Sequence, residues 1–153
     1  MKKLTVSKPA DLRNHVGDYV ALSDWVCVTQ EMIDLFAQST GDHQWIHVDA
    51  DRASRDTPFK STIAHGFLTL SLLSKLLNDS VDLGSSKMGI NYGLNRVRFT
   101  APVKSGSMVR ARFNLKQVVS IDDGVQLEWE VTVEVQNETK PVLVAEWLTR
   151  RYG

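Results

Sequence analysis

The segment Ser39-Thr40-Gly41-Asp42-His43-Gln44-Trp45-Ile46-His47-Val48-Asp49 crowds Asp42, His43 and His47 into a few residues. Asp42 and His47 lie five positions apart. That is too far for adjacent turns of one regular helix, but a compact loop can bring both onto one water. A carboxylate and an imidazole held together can activate water and shuttle a proton near neutral pH. The plainer reading makes Asp42 a cap for the following turn and His47 a hydrogen-bonded loop histidine. A third reading is a metal, because Asp42, His43, His47 and His65 are suitable ligand types. His43 and His47 are four apart, but Gly41 precedes them and neither has a neighbouring glutamate. They therefore do not match His-Glu-x-x-His, and the expectation is no metal.

The second segment with chemical potential is Thr62-Ile63-Ala64-His65-Gly66-Phe67, at the head of an apolar stretch. The first N–H groups of a helix have no partner within it and favour an anion. Gly66 lets a substrate carbonyl come close to that backbone. Such donors stabilise a developing enolate oxygen, as they do the oxyanion of acyl transfer. Alternatively, Gly66 only admits close packing. His65 is expected to be a buried histidine bonded to a carbonyl. Ser74 follows Gly66 by eight residues, about two helical turns, and so falls near the same face. Its plainer role is close packing as a small residue. Trp25, Trp129 and Trp147 read as core or interface, and Cys27 as a small buried hydrophobe in a strand. Arg96, Arg98, Arg110, Arg112, Arg150 and Arg151 read mostly as solvated strand faces, with one or two free to meet a phosphate.

These residues need elements to hold them. Val20 to Val28 reads as one strand. Thr29 looks like an N-cap, with Glu31 in the first turn and Met32, Ile33, Phe36 and Ala37 as an apolar stripe. Gly41 stands where a left-handed residue ends that helix. Asp49 could cap a short polar helix to about Arg55, with Pro58 in the loop beyond. From Thr62 to about Leu77 the chain is apolar nearly all round, which predicts a helix surrounded by protein. Gly84 and Ser85-Ser86 mark a turn. Two-residue alternation then runs from about Ile90 to the C-terminus, punctuated at Pro102, at Asp122-Asp123-Gly124 and at Asn137-Glu138-Thr139-Lys140. An apolar helix followed by a meander predicts a curved antiparallel sheet wrapped around that helix, an α+β architecture.

The 153 residues are enough for one domain, spanning 1–153, with a sizeable core. Eighteen basic and eighteen acidic residues balance, which argues against nucleic acid or an anionic membrane as partner. One cysteine excludes an internal disulfide framework. The first residues lack the apolar core of a signal peptide, and no window is apolar enough to span a membrane, so a cytoplasmic protein is expected. A formal net charge of zero favours self-association.

Taken together, Gly41-Asp42-His43-Gln44-Trp45-Ile46-His47, then Ala64-His65-Gly66, then Phe99-Thr100-Ala101-Pro102-Val103-Lys104-Ser105-Gly106 resemble the motifs of the MaoC-like dehydratases, which include the (R)-specific enoyl-CoA hydratases. Gln44-Trp45 stands where the better-known hydratases carry Asn-Pro, and this detail is similar to the nodulation-protein-N-like branch. The resemblance implies a hot-dog fold, usually as a homodimer, and reversible hydration of a trans-2-enoyl-CoA to a (3R)-hydroxyacyl-CoA. It implies Asp42 and His47 as the catalytic dyad, Gly66 as oxyanion donor to the thioester, and Ser74 as a lesser polar group of the site. No metal or redox cofactor is implied, since coenzyme A is the handle of the acyl-CoA substrate. An acyl-CoA thioesterase on the same fold and a non-catalytic acyl-thioester binding module are the competing readings. Fold analogy alone does not separate them.

Overall fold

The computed structural model describes residues 3–153. In chain order its elements are β1 (Leu4–Thr5), a 3₁₀ helix (Pro9–His15), β2 (Tyr19–Leu22), β3 (Val26–Val28), α1 (Gln30–Thr40), α2 (Trp45–Val48), α3 (Ala50–Asp56), α4 (Gly66–Ser71), α5 (Leu73–Ser80), β4 (Val81–Asp82), β5 (Met88–Arg98), β6 (Ser107–Ile121), β7 (Gly124–Val135) and β8 (Leu143–Tyr152). The alternating C-terminal half becomes the main sheet, in the order β2-β6-β7-β8-β5, with β3 also paired to β6. The strand pairs of this sheet are antiparallel. Trp129 stands opposite Trp147 and Leu115 opposite Trp129, so one face of these three strands is largely apolar. Phe113, Leu115, Leu127, Trp129, Val131 and Leu143 are fully buried there. They join Leu73, Leu76 and Leu77 of α5 and Ile33 of α1 in one cluster. A helix held in the concave face of an antiparallel sheet is the hot-dog arrangement. None of the helices among the described residues is long and apolar enough to cross a membrane.

The caps that the sequence predicts are in place. Thr29 Oγ1 accepts from the Met32 N–H at 3.2 Å, and Gly41 ends α1 at φ 79° with its N–H on the Ala37 carbonyl. Asp49 accepts from the Arg52 N–H at 3.0 Å and starts α3. Asp123 takes φ 61° in the turn between β6 and β7.

Five expectations are corrected. The strand over Val20 to Val28 is two strands, because Ser23 turns inward, is buried, and exchanges hydrogen bonds with Ala111. The apolar helix begins at Gly66, not Thr62: Ala64 N–H bonds the Val103 carbonyl, and Ile63 forms a bridge with Lys104, so this segment runs extended. The helix is also interrupted at Leu72, between α4 and α5. Nor is it surrounded: Phe67 is 66% exposed, and Ser71, Ser74 and Lys75 also face outward. Finally, Arg151 is not on a solvated face. On β8 it shares the parity of Leu143, Ala145, Trp147 and Thr149, which point into the concave side.

Candidate active site

Asp42 sits in the link between α1 and α2, one residue past the left-handed Gly41. Its Oδ1 accepts from the Gln44 N–H at 3.3 Å, so it does shape the following turn. His47 rides on α2, the short helical turn that occupies part of the expected loop. Its ring is buried, and Nδ1 lies 2.7 Å from the Ile63 carbonyl. A carbonyl can only accept, so Nδ1 carries the proton and Nε2 keeps its lone pair.

Three further contacts fix this arrangement. Gln30 Nε2 donates to the His47 carbonyl at 2.8 Å, and the Thr62 hydroxyl donates to Gln30 Oε1 at 2.6 Å. They tie α1, α2 and the extended segment before α4 into one unit. The third is His65, which is buried. Its Nε2 donates to the Asp42 main-chain carbonyl at 3.0 Å, and its ring stacks on that of His47 with centroids 3.8 Å apart. The expected carbonyl bond of His65 is thus present. His65 Nδ1 is buried and has no partner.

One carboxylate oxygen of Asp42 and a ring nitrogen from each of His47 and His65 lie within 4.8 Å of one another. The group offers acceptors and could geometrically hold a divalent cation. His43 is exposed and does not belong to it. The His47 imidazole is pulled below its ordinary pKa, chiefly by burial. The Ile63 carbonyl pushes the other way, the His65 ring adds to the lowering, and Asp42 opposes it. Burial prevails, and the ring is held neutral.

Gly66 opens α4 directly after His65, so its N–H has no acceptor within the helix. It lines a cleft of about 400 Å³ together with Ala64, Thr69, Phe99 and Val103. A Cβ at Gly66 would stand 2.9 Å from the Phe99 ring, so its packing reading also has a physical basis. Ser74 is not in that cleft. It lines a different one, between α5, β5 and β8. Within one chain, Asp42, His47 and His65 come together, Gly66 adjoins them in sequence, and Ser74 stands apart. Trp45, at the departure from Asn-Pro, is half-buried beneath the Arg52 guanidinium, 4.0 Å from its ring centroid.

Residues 11–139 match the MaoC like domain, and the chain belongs to that family of MaoC-like dehydratases. Among its relatives is 3-hydroxyacyl-thioester dehydratase Z of Mycobacterium tuberculosis, 50% identical over 147 residues that cover 95% of this chain and 97% of that one. Nodulation protein N of Rhizobium leguminosarum bv. viciae is 48% identical over 92% of this chain and 88% of its own length. The fold superposes on unliganded R-hydratase PhaJ1 from Pseudomonas aeruginosa with a TM-score of 0.69, 28% identity, and coverage of 88% of this chain and 79% of that one.

Proposed function

We propose that this enzyme, a hydro-lyase, reversibly hydrates a trans-2-enoyl-CoA to a (3R)-hydroxyacyl-CoA. The observation that carries the reading is the approach of the Asp42 carboxylate to a neutral, buried His47 whose Nε2 keeps its lone pair. In this mechanism Asp42 and His47 hold one water beside C3 of the enoyl thioester. His47 Nε2 takes a proton as the water oxygen bonds to C3. The C2–C3 π electrons move towards C2 and the thioester carbonyl, giving an enolate-like state. The Gly66 N–H receives the charge on that oxygen, a contribution of about 3 kcal/mol per donor in related oxyanion sites. C2 then takes a proton from the dyad, so one water has been added and the dyad is restored. Dehydration retraces these steps.

The same geometry supports a metal-independent reaction. A cation on Asp42, His47 and His65 would occupy the lone pair that must accept the water's proton. The reading includes a homodimer and a cytoplasmic enzyme. Support for the dimer comes from β5, which pairs with β8 on one side and, among the described residues, has no strand on its other edge. Along it Met88, Ile90, Tyr92 and Leu94 are exposed, with Phe67 and Phe99 exposed as well. An open edge with apolar side chains is a surface that a second copy can cover.

The test is turnover of crotonyl-CoA, followed by loss of enoyl absorbance, with free thiol measured in parallel by DTNB. Hydration to the (3R) alcohol without thiol release, unchanged by EDTA and inhibited by added zinc, is expected. Thiol release without hydration would instead establish a thioesterase.

A further inference from the structure

The cleft that holds Ser74 has a chemical bias of its own. It is a cavity of about 220 Å³. Arg151 reaches it from β8, with its guanidinium against the backbone of β5: a Cβ on Gly89 would fall 2.2 Å from Nη1. Among the described residues Arg151 has no acidic partner, and its Nε is buried without a hydrogen bond. No acid lines the cleft. A half-buried guanidinium without a counter-charge is costly, and an anion relieves the cost.

The neutral groups around Arg151 point the same way. Trp147 Nε1 donates to Asn91 Oδ1 at 2.7 Å, and Trp129 Nε1 donates to Thr149 Oγ1 at 3.0 Å. An indole can only donate. Each indole therefore takes up an acceptor and leaves the donor of its partner, the Asn91 Nδ2–H and the Thr149 O–H, for another group. With the Ser74 hydroxyl, the cleft offers hydrogen-bond donors around one cation.

We propose that this cleft binds a carboxylate through Arg151, with Asn91, Thr149 and Ser74 as supporting donors. Two sources share that chemistry: the far end of a carboxyl-terminated acyl chain, and a free small dicarboxylate. Only the first rests on the hydratase reading.

The full-length protein serves for the test, with glutarate as the probe. Calorimetric titration should show saturable glutarate binding and none of the neutral glutaramide. Arg151→Met and Gly89→Ala should each weaken it about tenfold or more, the scale of one charge-assisted hydrogen bond. The first removes the charge; the second keeps it but displaces the guanidinium. Arg151→Met removes a buried unpaired charge, so its Tm should not fall. A second arm compares kcat/KM for trans-2-enoyl-CoAs of matched length ending in carboxyl or methyl. A preference for the carboxyl end that collapses in Arg151→Met assigns the acyl chain as source. Glutarate binding without that preference assigns the free dicarboxylate. Absence of both, in a protein that still hydrates crotonyl-CoA, overturns the site and leaves the hydratase reading intact.

Discussion

At the scale of single residues, the proposed chemistry turns on which nitrogen of His47 holds its proton. The Ile63 carbonyl fixes it on Nδ1, and burial keeps the ring neutral. The pH dependence follows. The ring's pKa in the folded protein lies below the ordinary value of about 6.5, so it remains a base at a pH where a free imidazole is half protonated. The acid limb of kcat/KM for crotonyl-CoA should therefore fall below about pH 6.5. A limb above that value would contradict the assignment. Stability moves in the same direction: the unfolded chain binds this proton more readily, so the contribution of His47 is present above about pH 6.5 and is lost as the pH falls through the lowered value. Asp42 and His47 were legible in the sequence as a pair, whereas two further features escaped the reading. The stacked His65, 18 positions further on, can be assigned to the Asp42 carbonyl only once α1 and the extended segment before α4 are packed together. The inward aim of Arg151 followed from strand parity, which places it with Trp147 and Thr149. Its charge argued for solvent and was the misleading signal.

At the scale of elements, local rules were read well and tertiary overrides were not. Caps at Thr29, Gly41 and Asp49 depend on one turn of chain, and they formed as expected. The start of the apolar helix depends on Val103 and Lys104, some forty residues away, which hold Ile63 and Ala64 extended and move the helix start to Gly66. That shift matters, because it leaves the Gly66 N–H at the helix start, beside His65. Gly66→Ala separates the two roles of the glycine. The added methyl would press on Phe99, a ring 45% exposed and able to swing away. kcat/KM for crotonyl-CoA should drop about tenfold or more, with a small change in Tm. Adding Phe99→Ala should relieve the steric conflict without restoring the rate. Full recovery of rate in the double variant would show that Gly66 serves packing alone.

At the scale of the whole molecule, the α+β sheet-and-helix plan was readable because periodicity switches once along the chain, from helical to alternating. The open surface was not readable. An all-round apolar helix predicts complete burial, yet Phe67 and the outer face of α4 and α5 remain uncovered in one chain, beside the exposed β5 edge. The proposed second copy would cover both. Sedimentation should find a dimer at micromolar concentration. Replacing Ile90 and Tyr92 by lysine, on the open strand, should yield monomers with reduced activity. Fully active monomers of the parent chain would rule out a dimer requirement.

The most direct measurement of the central claim is kcat on crotonyl-CoA for Asp42→Asn, His47→Ala and the double variant, with Tm recorded for each. If both groups act on one water, each single change lowers kcat by about 10²–10⁴-fold while Tm stays near that of the parent. The double variant should be little worse than the worse single, because the two act as a unit. His43→Ala should cost much less, since that side chain is exposed and outside the cluster. Near-parental turnover by Asp42→Asn would contradict the account and leave Asp42 as no more than the acceptor of the Gln44 N–H.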